Sequence, residues 1–241
     1  MTTKEKMNPN KTARVAGILF LIMFVAIFFT TGFVRVTLIV PGDAATTANN
    51  IMASESQFRS GIVGHLIVLF LDLGVSVLLY VLLKPVSKTL SLVAAVFRLI
   101  MVAMRGINLL NHFFALQLLS GAGYLTVFET DQLHALVLLF LTAFEDGVII
   151  DYVFFGLHLF FVGYLVFKSG YIPRILGVLW IIASFGYLTQ TLTSILFPSY
   201  EAIISQIVEV PDGILELALF LWLLIKGVNV EQWEKRALES A

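Results

Sequence analysis

The chain has 241 residues, of which 59% are hydrophobic and only 13% charged, with a mean hydropathy of +0.95 and a formal net charge of −1. Those proportions exclude a soluble domain, in which about a quarter of the residues carry charge. The balanced charge excludes a basic nucleic-acid-binding surface, and the absence of cysteine excludes disulfides, thiolate metal sites and cysteine nucleophiles.

Taken in order, the chain reads as a series of apolar runs long enough to cross a ~30 Å hydrocarbon core. Lys4, Lys6, Lys11 and Arg14 precede the first, Val15 to Val34. It is too long for a signal-peptide core and lacks a small-x-small cleavage site, so it reads as a retained span. Pro41 and Gly42 turn the chain, and Asp43 is placed to cap a short interfacial helix from Ala44 to Ala53. Ser54 and Gln57 fit a capping box that starts a second span, running from about Glu55 to Leu83. Lys84 to Ser87 bend the chain into a third span, Thr89 to Leu119, with Gly106 the expected point of a bend.

Gly121, Gly123, Glu129 and Asp131 mark a loop, and Leu133 to Phe144 is apolar but short for a span. Glu145, Asp146 and Gly147 interrupt it, so this run is expected to be an extra short interfacial or re-entrant helix, with continuity into span four left open. Val148 to Phe167 makes span four and Arg174 to Phe197 span five. After an amphipathic segment from Tyr200 to Glu209, Pro211 is expected to open span six, ending near Lys226. The expected fold is therefore an all-α integral membrane protein, a six-transmembrane-helix bundle over residues 14–228, with tails at 1–13 and 229–241.

Lysine and arginine orient it. Lys4, Lys6, Lys11, Arg14, Lys84, Lys88, Lys168, Arg174, Lys226, Lys235 and Arg236 fall on one side of a six-span reading, against Arg35 and Arg59 on the other. Bases collect on the cytoplasmic side, which places both termini in the cytoplasm of a cell membrane.

Charged groups within spans cost at least ~2.5 to 3.5 kcal/mol each at the bilayer centre and so demand a partner or a function. His65, Asp72 and Ser76 share a face of span two, and Arg98, Arg105 and His112 repeat every seven residues on span three. The tight bend sets Asp72 level with Arg98, the geometry of a buried ion pair that locks two helices in register. Further out, His65, Arg105, Asn108, His112, Asp151 and Glu216 are candidates to line an outward cavity. The fork of Arg105 suits a carboxylate or phosphate there. Glu209 and Asp212, near Glu216, read as ordinary acids of a helix start.

Several strings in order carry a resemblance: LIVPGDAA at Leu38–Ala45, YVLLKPV at Tyr80–Val86, LLNHF at Leu109–Phe113, FFGLH at Phe154–His158, RILGV at Arg174–Val178 and LWLLIKG at Leu221–Gly227. Together they resemble the bacterial multi-pass membrane family called domain of unknown function 4386, from about Thr12 to Val228. The resemblance implies no activity, substrate or cofactor. Phe144 stands where it implies a histidine, and Asp151 where it implies a small residue.

Two function classes follow, with a structural or interaction role as the third. One is binding or transport of a small or lipid-like anion. The other is an intramembrane metal-dependent hydrolase using His65, His112, His158 and Asp72. The four histidines, His134 included, show no metal-ligand spacing, and no metal or other cofactor is expected. The expected partners are the bilayer and a small-molecule or lipid ligand, with no nucleic acid. Oligomeric state is not legible.

Overall fold

The structure is a computed structural model that describes residues 8–240, the side chains of Glu209, Val210 and Asp212 excepted. Lys4, Lys6 and the side chains of Glu209 and Asp212, named above, lie outside the described residues. Every described element is a helix: α1 (Pro9–Ile27), α2 (Ala44–Ala53), α3 (Glu55–Leu83), α4 (Lys88–Asn108), α5 (Leu110–Leu118), α6 (Thr130–Ser169), α7 (Arg174–Leu196), α8 (Glu201–Ile225) and α9 (Val230–Glu239), with short 3-10 turns between some of them. A π-helical stretch, Phe28–Arg35, and one turn, Val36–Leu38, carry α1 onward. Five helical stretches are long and apolar enough to cross a membrane, and a sixth is counted when the α8 segment is taken with α9 across a 100° bend. Large side chains such as Phe28, Phe70, Ile107 and Ile195 stand more than half exposed. Water would penalise so much open apolar surface, whereas lipid tails would not.

Two compact units make up the fold. One combines the described residues up to 21 with residues 71–101 and those from 151 onward; the other combines residues 22–70 and 102–150.

In the first unit, small residues set how closely helices approach. A Cβ added to Gly177 of α7 would sit 2.5 Å from the Gly163 carbonyl oxygen of α6, and one added to Gly163 would sit 2.7 Å from that of Gly177. Only glycine lets the two backbones meet this way, a common device where lipid supplies no hydrophobic drive between helices. Around this crossing, Leu159, Val162, Val166, Trp180 and Leu219 are buried, and Phe20 stacks on Phe220 at 3.8 Å between ring centroids.

Residues 229–241, expected as a tail, contain α9, which the Asn229 side chain caps by accepting from the Gln232 amide. Its Trp233 is buried and donates from Nε1 to the Leu82 carbonyl at 2.9 Å. The Tyr171 hydroxyl donates to the same oxygen at 2.8 Å. Leu82 lies in the last turn of α3, where carbonyls lack helical partners.

The second unit packs Val34, Leu38, Ile51, Phe58, Ile62, Leu109, Val137, Leu141 and Phe144 into one cluster. Asp43 caps α2, accepting from the Thr46 amide at 2.9 Å and the Thr46 hydroxyl at 2.7 Å. These bonds to the charged carboxylate hold its pKa below the ordinary value.

Four expectations need correction. Leu133 to Phe144 is not a separate interfacial or re-entrant helix: α6 runs unbroken through it for 40 residues. At 1.5 Å per residue it is about 60 Å long, far more than a hydrocarbon core requires, so it tilts or protrudes. The polar interruption is absorbed by partners: Glu145 pairs with Arg35 Nε at 2.6 Å, and the bare backbone of Gly147 leaves room for the Asn108 side chain. Span three breaks at Leu109, between α4 and α5, rather than at Gly106. Pro211 lies inside α8 instead of opening it, since Tyr200 to Glu209 is already helical; membrane helices tolerate an internal proline that soluble ones resist. The capping box of Ser54 and Gln57 is not made, because the Ser54 amide donates to Asn50 and Ile51 carbonyls and the Gln57 amide nitrogen reaches Thr37.

Candidate functional site

The expected polar residues divide between the units. In the first, α3 and α4 bring Asp72 and Arg98 together across the Lys84–Ser87 bend, both almost wholly buried. Arg98 donates to Asp72 Oδ1 from Nε at 2.9 Å and also from Nη2. The third arm, Nη1, lies 3.0 Å from His158 Nε2, and the His158 Nδ1 lies 2.8 Å from the Ala94 carbonyl.

This geometry fixes the proton on His158. Arginine has only donors to offer and a carbonyl only accepts, so Nε2 must accept and Nδ1 must donate. The ring is therefore neutral, and the trio carries one negative and one positive charge that cancel. Phe155 completes the wall, with its ring centroid 5.5 Å from the Arg98 guanidinium carbon.

Next to this trio, the Tyr187 hydroxyl donates to Glu216 Oε1 at 2.6 Å, and the rings of Tyr152 and Phe155 stand edge-on to Tyr187. Asp151 is fully buried in this unit and Glu216 nearly so.

His65, Arg105, Asn108 and His112 belong to the second unit. The His65 and His112 rings lie 5.6 Å apart, and Phe144 meets both, at 5.2 Å from His65 and 4.2 Å from His112. Phe58 closes on His112 at 5.4 Å. Asn108 Nδ2 donates to the Phe144 carbonyl at 2.7 Å, and its Oδ1 accepts from Asn111 at 2.8 Å. Arg105 is half-buried near the end of α4. His112 is buried, and its Nδ1 has no hydrogen-bond partner.

Chemically, four aromatic rings converge here but only those of His65 and His112 carry nitrogen, because Phe58 and Phe144 hold the other corners. Among the described residues no group of three or more His, Asp or Glu is placed to hold a metal ion. His158 has both ring nitrogens engaged, so it has no lone pair to give a metal without dismantling the Arg98 contact.

The family model described as domain of unknown function (DUF4386) matches residues 15–227. The chain belongs to this family. An uncharacterised protein from Archaeoglobus fulgidus is similar to it, 36% identical over 173 residues, covering 71% of this chain and 86% of the relative. No solved structure matches this DUF4386 chain.

Sequence reasoning about this DUF4386 protein missed the third member of the Arg98 group and the Tyr187–Glu216 pair. His158 and Tyr187 lie on α6 and α7, and no local spacing relates either to its partner. One signal was available: a mid-span arginine has more donor arms than a single aspartate oxygen can occupy, so a second acceptor had to exist.

Proposed function

We propose that this protein is a six-span protein of the cell membrane with both termini in the cytoplasm. It binds or transports a small or lipid-like anion on its outer side through His65, Arg105, Asn108 and His112. The observation that carries this reading is the buried, unpartnered Nδ1 of His112 beside the His65 ring. An unmet buried polar atom costs about 1 to 3 kcal/mol, a penalty that a ligand atom would remove. Arg105, seven residues before His112, supplies a fixed fork of donors suited to carboxylate or phosphate. Asp151 and Glu216, expected with this set, are buried in the other unit.

The charge distribution supports the orientation. The bases Lys11, Arg14, Lys84, Lys88, Lys168, Arg174, Lys226, Lys235 and Arg236 would gather on the cytoplasmic side. On the other side, Arg35 is paired with Glu145 and Arg59 with Glu55. A structural role suits Asp72, Arg98 and His158, because every arm of Arg98 is satisfied.

Native mass spectrometry of protein released from its membrane without denaturant tests the ligand reading. A bound anionic species is expected on the parent protein and lost from Arg105→Gln and His112→Ala; its retention by both variants ends the proposal. The absence of cysteine makes orientation directly readable. A membrane-impermeant maleimide is expected to label Thr126→Cys in intact cells and Ser240→Cys only after lysis, and the reverse pattern would overturn the topology.

A further inference from the structure

Distinct from the histidine cluster, a pocket of about 530 Å³ opens between α9 and the turn that joins α6 to α7. That volume falls within the ~300 to 1,000 Å³ usual for small-molecule sites. Three of its lining residues are cations, Arg174, Lys235 and Arg236, against one carboxylate, Glu239. Ser169 and Gly170 also line it, where the chain turns through a positive φ of 78° at Gly170.

The pocket is built rather than incidental. Gln232, Lys235, Arg236 and Glu239 follow at spacings of three, four and seven, so they share one face of α9. Trp233 points elsewhere and anchors the helix to the Leu82 carbonyl. The Asn229 amide donates to the Tyr171 carbonyl at 3.1 Å, and Arg236 Nη2 to the Lys168 carbonyl at 3.1 Å. These ties fix α9 against the end of α6 and the turn that follows it.

We propose that this pocket binds a phosphate group, presented by an anionic lipid headgroup or by a free phosphoester. Arg174, Lys235 and Arg236 offer a net excess of positive charge and many donors within one concavity, which is what a phosphate requires. The lipid source has further support. The Arg174 guanidinium lies over the Phe167 ring at 5.8 Å, and Phe167 and Ile175 are both exposed, so an apolar strip begins where the basic pocket ends. Basic pockets beside membrane helices are suited to anionic headgroups in this way.

The test uses the full chain in neutral detergent and reads its melting temperature. The probes are short-chain phosphatidic acid, short-chain phosphatidylcholine, glycerol 3-phosphate and inorganic phosphate. Phosphatidic acid is expected to raise the melting temperature in a salt-sensitive way, and phosphatidylcholine to leave it unchanged. Arg174→Gln with Lys235→Gln is expected to bind about thirtyfold more weakly, the loss of two basic contacts. Should that double variant fold poorly, Lys235→Gln alone supplies the comparison. Equal shifts from inorganic phosphate or glycerol 3-phosphate assign the site to a free phosphoester, and a shift from phosphatidic acid alone assigns it to lipid. The proposal is overturned if no phosphate-bearing probe shifts the melting temperature, or if the shift is the same in the variants.

Discussion

Tyr171 and Trp233 donate to one and the same acceptor, the Leu82 carbonyl, at 2.8 and 2.9 Å. One donor comes from the turn after α6 and the other from α9, and both close the end of α3. Because that oxygen lies beyond reach of water, losing one donor differs from losing both. Tyr171→Phe and Trp233→Phe are each expected to cost about 1 kcal/mol, and the double variant more than their sum, as the carbonyl is then orphaned. Thermal unfolding in detergent measures this, and strictly additive losses would refute the shared acceptor.

The same tyrosine gives a pH dependence. Burial raises the Tyr171 phenol above its ordinary value of 10.0. The folded chain therefore keeps a proton that the unfolded chain releases, and stability falls with rising pH. The contribution is complete below the unfolded value and is lost as pH climbs toward the folded one. Melting curves taken between about pH 9 and 11 should decline more steeply for the parent than for Tyr171→Phe, since only the parent holds the phenol. Parallel curves would contradict the assignment.

Asp72 and Arg98 predict a thermodynamic cycle. Asp72→Asn and Arg98→Gln should each destabilise by ~3 to 5 kcal/mol, because each leaves a buried charge alone. The double variant should recover part of that loss, and His158→Ala should cost less than either, since a neutral ring is removed. Independent, additive effects from Asp72 and Arg98 would mean that they are uncoupled.

The crossing of α6 and α7 predicts a size limit. Gly177→Ala should cost ~1 to 3 kcal/mol by forcing the helices apart. Gly106→Ala is the control: its added carbon would meet Leu69 at an ordinary 3.6 Å, so the helix should gain up to ~1 kcal/mol instead. Equal effects at both positions would show that the close approach is not limiting.

What was legible in the sequence depended on distance along the chain. The register of Asp72 against Arg98 follows from counting outward from a short bend, and the α2 cap follows from Asp43 standing just before Ala44. The polar interruption misled because what accommodates it is remote: Arg35, the partner of Glu145, lies 110 residues away, and Asn108, which fills the space beside Gly147, bonds to Phe144 across 36. Hydropathy registers polar groups but not the side chains that neutralise them, so a continuous helix looked broken. The candidate set was legible as polar residue types within several spans, whereas its division between two units was not. α9 was hidden for the opposite reason, because its low hydropathy reads as a tail until Trp233 finds its acceptor.

The Asp72–Arg98 contact also bears on the order in which the chain is made. These residues leave the ribosome 26 positions apart, separated by one short bend, while His158 follows Arg98 by 60. Within these two helices the carboxylate and the guanidinium already cancel each other's charge. The last arm of Arg98 is then satisfied only when α6 emerges. The hairpin therefore cancels its own two charges, and α6 adds only the last contact of Arg98.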